Sequence, residues 1–152
     1  MTHGPLRHVD LPPVWGAAAA AAIWTMAAAG PLLPLPEAAR PVGWVVMLAA
    51  GGLILWSALY FLTHRTPIEP RRAPHALITG GPYRWTRNPI YRGLVLGLAG
   101  FSLAAGELAG LAVAGVYGWV LLRRFVAEEE AALEAAFGER WRAYAAAVRF
   151  RL

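Results

Sequence analysis

Residues 93–122 read GLVLGLAGFSLAAGELAGLAVAGVYGWVLL, a long apolar block broken by a single charge, Glu107. One helix over this block would run about 45 Å at 1.5 Å per residue, well past a bilayer core of about 30 Å. Two helices folded back at Ala105–Gly106–Glu107 fit better. The arginines decide between these readings. Six lie between Arg65 and Arg92, and six more from Arg123 onward. A hairpin puts both groups on one side of the membrane, whereas a single crossing would separate them.

Outward from the hairpin, no charged residue occurs from Leu11 to Pro36 or from Pro41 to Thr63. Each stretch exceeds the ~20 apolar residues that a spanning helix requires. A signal peptide is the alternative for the first, but it is long for such a core and holds Trp15 and Trp24. The expectation is an all-α, polytopic membrane helix bundle forming one domain, 1–152. Its four spans are about 12–35, 42–63, 89–105 and 108–124. With Arg7 inside and only Arg40 outside, both termini are expected to be cytoplasmic. Helices of about 125–137 and 139–150 should continue on that face, divided by Gly138. The Pro/Arg-rich stretch Pro67–Pro74 reads as a loop.

The chain has no cysteine, which removes disulfides, thiolate nucleophiles, Cys-ligated zinc and Cys lipidation. Every basic residue other than histidine is Arg, and the abundance of Ala and Gly fits a GC-rich, bacterial genome. The net charge of +5 sits beside apolar spans, so membrane topology accounts for it without nucleic acid. His64 and His75 lack further ligands at useful spacing, and no metal is expected. Gly93, Gly97 and Gly100 read as a helix-packing seam. Glu107, at the hairpin tip, is expected to be solvated.

Two segments could carry chemistry. Gly80–Gly93, GGPYRWTRNPIYRG, is dense in Gly, Arg and aromatics, and Asn88-Pro89 form a good N-cap and first turn for the third span. Backbone N–H groups, a helix dipole and guanidinium groups make an anion-receptive corner. Tyr83, Trp85 and Tyr91 offer faces to an adenine or a sulfonium. The plain alternative is a turn with interfacial aromatics and snorkelling arginines. In Glu128-Glu129-Glu130, Glu130 shares a stripe with Val126, Leu133 and Phe137. A carboxylate there needs a partner: Arg84, Arg87 or Arg123, or ligand hydroxyls. The plain alternative is a solvated helix face.

Gly81-Pro82-Tyr83-Arg84, Arg87-Asn88-Pro89-Ile90-Tyr91 with Gly93, the hairpin, and Glu129-Glu130 with Leu133, Phe137 and Gly138 resemble the integral-membrane methyltransferases. That family includes isoprenylcysteine carboxyl methyltransferase and the phospholipid N-methyltransferases. Trp141, Tyr144, Val148 and Arg149 are similar to a signature of its bacterial members. The resemblance runs from about Leu77 onward. It implies S-adenosylmethionine as cofactor, a lipophilic acceptor and a bacterial inner-membrane location. Cofactor contacts carry over onto Arg87, Asn88, Tyr91, Glu129 and Glu130, and also onto Tyr83 and Arg84. Two positions depart from the isoprenylcysteine enzymes, where Asn88 is usually His and Trp141 usually Tyr. Asn cannot titrate near neutral pH, so no general base is assigned. Positioning by Arg87 and Asn88 and exclusion of water are left to do the catalysis. A nicotinamide-dependent reductase of a related membrane fold and a non-catalytic membrane scaffold are the competing expectations.

Overall fold

The computed structural model describes residues 10–63 and 76–152. Arg7, His64, His75 and the loop Pro67–Pro74 lie outside the described residues. The elements are α1 (Pro12–Ala29), α2 (Ala39–Thr63), a 3₁₀ turn (Gly81–Arg84), α3 (Pro89–Ala105), α4 (Gly110–Leu121), a π turn (Leu122–Val126), α5 (Ala127–Phe137) and α6 (Glu139–Ala147). The fold is all-helical among the described residues, apart from an isolated bridge between Pro34 and Glu107. Among the described residues, two helices are long and apolar enough to cross a bilayer, Ala39–Thr63 and the continuous Gly110–Phe137. α2 would run about 38 Å. It leaves Trp44, Val45, Leu48, Leu55 and Leu62 exposed, as a lipid-facing helix does.

Several boundaries differ from the sequence reading. α1 stops at Ala29 rather than near 35, because Gly30 leaves the helix and Pro31, Pro34 and Pro36 follow. α2 begins at Ala39 and takes Pro41 into its first turn, where a missing N–H costs nothing. α3 occupies 89–105 as expected. α6 ends at Ala147 instead of about 150, since residues beyond it bond to another segment.

The described residues up to Leu48, with Val95–Tyr117, form one compact unit. There α2 and α3 touch backbone to backbone. A Cβ on Gly43 would meet the Ala104 nitrogen at 2.3 Å, and one on Gly100 the Gly43 carbonyl at 2.8 Å. The chain reverses at Gly106, whose φ of 77° suits glycine, and Ser102 Oγ donates to the Glu107 carbonyl. The Glu107 side chain is not solvated, contrary to expectation. It is fully buried and accepts from the backbone N–H groups of Leu32 (2.6 Å), Leu33 (3.1 Å) and Ala109 (2.9 Å). The segment between α1 and α2 turns inward and lends it those donors.

The described residues of Ala49–Leu94, with Gly118–Leu152, form the second unit. Gly93 packs on α2, where a Cβ would meet Ile54 at 2.5 Å and the Ala50 carbonyl at 3.1 Å. The π turn sets the register of α5. Leu121, Phe125, Val126 and Glu130 are all buried. In a straight α-helix the nine steps from Leu121 to Glu130 would turn about 900°, placing Glu130 on the opposite face. The wider π turn absorbs one residue and brings Glu130 back to the buried side.

Candidate functional site

The segment before α3 is fixed from both ends. Gly81, at φ 55°, opens the 3₁₀ turn, which buries Pro82 and Tyr83. Tyr83 packs edge-on against Phe61, and its carbonyl accepts from the Tyr144 hydroxyl at 2.7 Å. Burial raises the pKa of both phenols, that of Tyr144 to about 12, so each stays protonated near neutral pH. For Tyr144, Glu130 adds to the effect of burial and Arg87 opposes it. Arg84 and Trp85 are exposed, and Trp85 meets Trp56 edge-on at 5.5 Å.

Thr86, Arg87 and Asn88 carry a strap formed by the residues after α6. The Arg87 backbone N–H donates to the Phe150 carbonyl at 2.9 Å, and the Asn88 side-chain amide to the Arg151 carbonyl at 3.0 Å. The buried Thr86 hydroxyl lies 3.3 Å from each of those carbonyls. Asn88 therefore spends an amide proton on the strap, and its own carbonyl receives the Arg92 N–H in the first turn of α3.

Glu130 is the centre of the charge cluster. Its Oε2 accepts from the Arg151 Nε at 2.9 Å and from a second nitrogen of the same guanidinium. Its Oε1 lies 3.2 Å from Arg87 Nε. Those two atoms are ion-paired but out of line for a hydrogen bond, and both are buried without one. The Arg87 guanidinium also lies 5.9 Å from the Trp141 ring centre, within cation–π range. Arg87 and Glu130 are both nearly buried, while Arg151 is half exposed. Beside Glu130, Glu129 accepts from the buried Tyr91 hydroxyl.

A cavity of about 540 Å³ opens at this cluster. Arg87, Glu130, Glu134, Trp141, Arg142 and Arg151 line it, with Ala127, Ala131, Ala145 and Ala146. Its volume falls in the range of small-molecule sites. Arg142 is committed to Glu134 at 3.1 Å and Glu139 at 2.6 Å. The lining offers guanidinium groups for a carboxylate, carboxylates for hydroxyls or an amine, and an indole face. These suit an adenosyl amino acid.

Of the residues singled out from the sequence, Arg87 and Glu130 meet at this cavity. Tyr91 meets Glu129, Tyr83 meets Tyr144, and Asn88 holds the strap. Arg84 stands exposed. Among the three arginines considered for Glu130, Arg87 is the one beside it. Arg151, Thr86 and Arg142 also belong to the site, beyond the sequence expectation. Trp141 lies on the apolar stripe of α6, and that stripe is its sequence signal. Nothing local announces Arg151, which reaches Glu130 from 21 residues away.

A family model for phospholipid methyltransferases matches residues 39–140, well over half of the chain. The chain matches no curated protein. The matched region contains the 3₁₀ turn, Arg87, α3, α4 and the paired glutamates of α5, whereas Trp141, Arg142 and Arg151 of the cavity lie beyond it. With two helices suited to crossing a bilayer, this membrane-associated chain belongs to the phospholipid methyltransferase family.

Proposed function

We propose that the chain transfers a methyl group from S-adenosylmethionine to a lipophilic acceptor at the cytoplasmic face of a bacterial inner membrane. The observation that carries this reading is the cavity at Arg87, Glu130 and Trp141, of a size to take an adenosyl amino acid, with Arg87 and Glu130 supplied by the matched family region. Bound there, the cofactor would supply a methyl group already activated on a sulfonium.

The protein's part is to bind and orient. Arg87 and the start of α3 hold a carboxylate, Trp141 offers its face to the base or the sulfonium, and Glu130 takes hydroxyls or an amine. Glu129, oriented by Tyr91, precedes it on α5, and Asn88 braces the strap that carries Arg151; Tyr83 and Arg84 enter this reading from the family resemblance alone. The buried Tyr83 and Tyr144 are too weakly acidic to serve as bases near neutral pH. Asn88 cannot serve as one either. Rate then comes from alignment, for an in-line displacement with a good leaving group. An acceptor carboxylate needs no base; an amine or thiol loses its proton separately.

The topology that goes with this reading has four spans, taken by α1, α2, α3 and α4. Residues 64–88 and 123–152 then share the cytoplasmic side, which agrees with the arginines. The same reading takes residues 1–152 as one domain.

A non-catalytic scaffold has one observation in its favour, the pairing of Glu130 with two arginines. The adjoining cavity weighs against it. Calorimetric titration of the purified protein with S-adenosylhomocysteine separates the two. Binding that is lost in both Arg87→Ala and Glu130→Ala is expected. No binding, or binding indifferent to both substitutions, would sink the methyltransferase reading.

A further inference from the structure

Glu130 Oε1 makes no hydrogen bond but is buried out of a ligand's reach, and Oε2 already accepts two bonds from Arg151. Oε1 faces Arg87, which is nearly buried and tied through its backbone N–H to Phe150. Oε2 is held by Arg151, which is half exposed and lies on the strap. Breaking the first pair would strand a buried guanidinium, whereas releasing the second returns one to water. The pair that opens is therefore Arg151–Glu130. Residues 148–152 also lie beyond the matched family region, which ends at 140.

We infer that Arg151 is a latch on the cavity: it occupies Glu130 when no ligand is bound and must leave before Glu130 can bind one. This rests on the methyl-donor reading for the ligand's identity but not for the latch itself. The ligand class is an adenosyl amino acid whose hydroxyl or ammonium groups compete with a guanidinium for one carboxylate. A protein whose open form is a minor fraction binds more weakly by that fraction. Removing a half-exposed ion pair should then tighten binding about fivefold.

The test uses the full chain in detergent or nanodiscs, comparing wild type, Arg151→Ala and Arg151→Lys. Two readouts are followed. Hydrogen exchange of the Arg87 amide reports the strap, because that N–H is bonded to Phe150. Calorimetry with S-adenosylhomocysteine reports competition for Glu130. The latch predicts faster Arg87 exchange and about fivefold tighter binding in Arg151→Ala, with Arg151→Lys in between. It also predicts that the gap narrows at high salt, which screens the wild-type pair. Unchanged Arg87 exchange overturns the latch. Faster exchange with equal or weaker binding overturns it too, making Arg151 a bystander or a direct ligand contact. Faster exchange with no binding by any of the three proteins upholds the latch and sinks the methyl-donor reading.

Discussion

Glu107 and Glu130 are both buried carboxylates on a predominantly apolar chain, yet they are satisfied in opposite ways. Glu107 accepts from three backbone N–H groups, two of them from the segment joining α1 to α2. Those donors cannot move away without unfolding the loop. Glu130 is met by two guanidinium groups on long side chains, one half exposed, at the wall of a cavity. Its Oε1 and Arg87 Nε are left without aligned hydrogen bonds. A carboxylate saturated by backbone fastens the fold. One held by side chains that can exchange for a ligand has the makings of a site.

The sharpest way to break this contrast is a pair of isosteric substitutions. Glu130→Gln removes the charge that both arginines meet and should lower methyl transfer about 100-fold or more, as expected when charged hydrogen bonds are lost. Glu107→Gln keeps one acceptor but turns an amide toward backbone donors. It should lower the unfolding temperature by several degrees and change S-adenosylhomocysteine affinity by less than about twofold, since the two residues share no partner. Radiolabelled methyl transfer in membranes and thermal unfolding in detergent measure these effects. If Glu107→Gln abolishes transfer while Glu130→Gln spares it, the assignment of roles is reversed.

Sequence reasoning reaches the fold because its signals are local. Charge-free stretches announce helices, Asn88-Pro89 marks the start of α3, and Gly106 and Gly138 sit where the chain turns. It reaches Arg87 and Glu130 because both belong to recognisable motifs. Three things stay hidden. The π turn at Leu122–Val126 leaves no mark in apolar periodicity, though it decides which way Glu130 faces. Glu107 reads as a tip residue because its donors come from Leu32 and Leu33, some 75 positions earlier. Arg151 reads as one more interfacial arginine until the strap carries it to Glu130.

A smaller effect tests whether the second glutamate of the pair belongs with the first. The Tyr91 hydroxyl donates to Glu129, so Tyr91→Phe removes one charge-assisted hydrogen bond and little volume. About a tenfold loss of S-adenosylhomocysteine affinity is expected, without the near-complete loss in Glu130→Ala. An affinity equal to that of wild type would confine the binding carboxylates to Glu130 and make Tyr91–Glu129 a fastener of the same kind as Glu107.

The finest test is acid. Burial pushes the Glu107 carboxyl upward, but the N–H groups of Ala109, Leu32 and Leu33 outweigh it and hold its pKa below the ordinary 4.5. The unfolded chain therefore binds the Glu107 proton more readily than the folded one. The stabilisation is in place above the ordinary carboxyl range and is lost as pH falls through the depressed folded value. Thermal unfolding of wild type followed downward from pH 6 should show a progressive fall below about 4.5. Glu107→Gln, already less stable at pH 6, should fall less steeply, so that the two curves approach each other in acid. Parallel curves would mean that the backbone donors confer no net preference for the carboxylate over its protonated form, and the contrast with Glu130 would then rest on geometry alone.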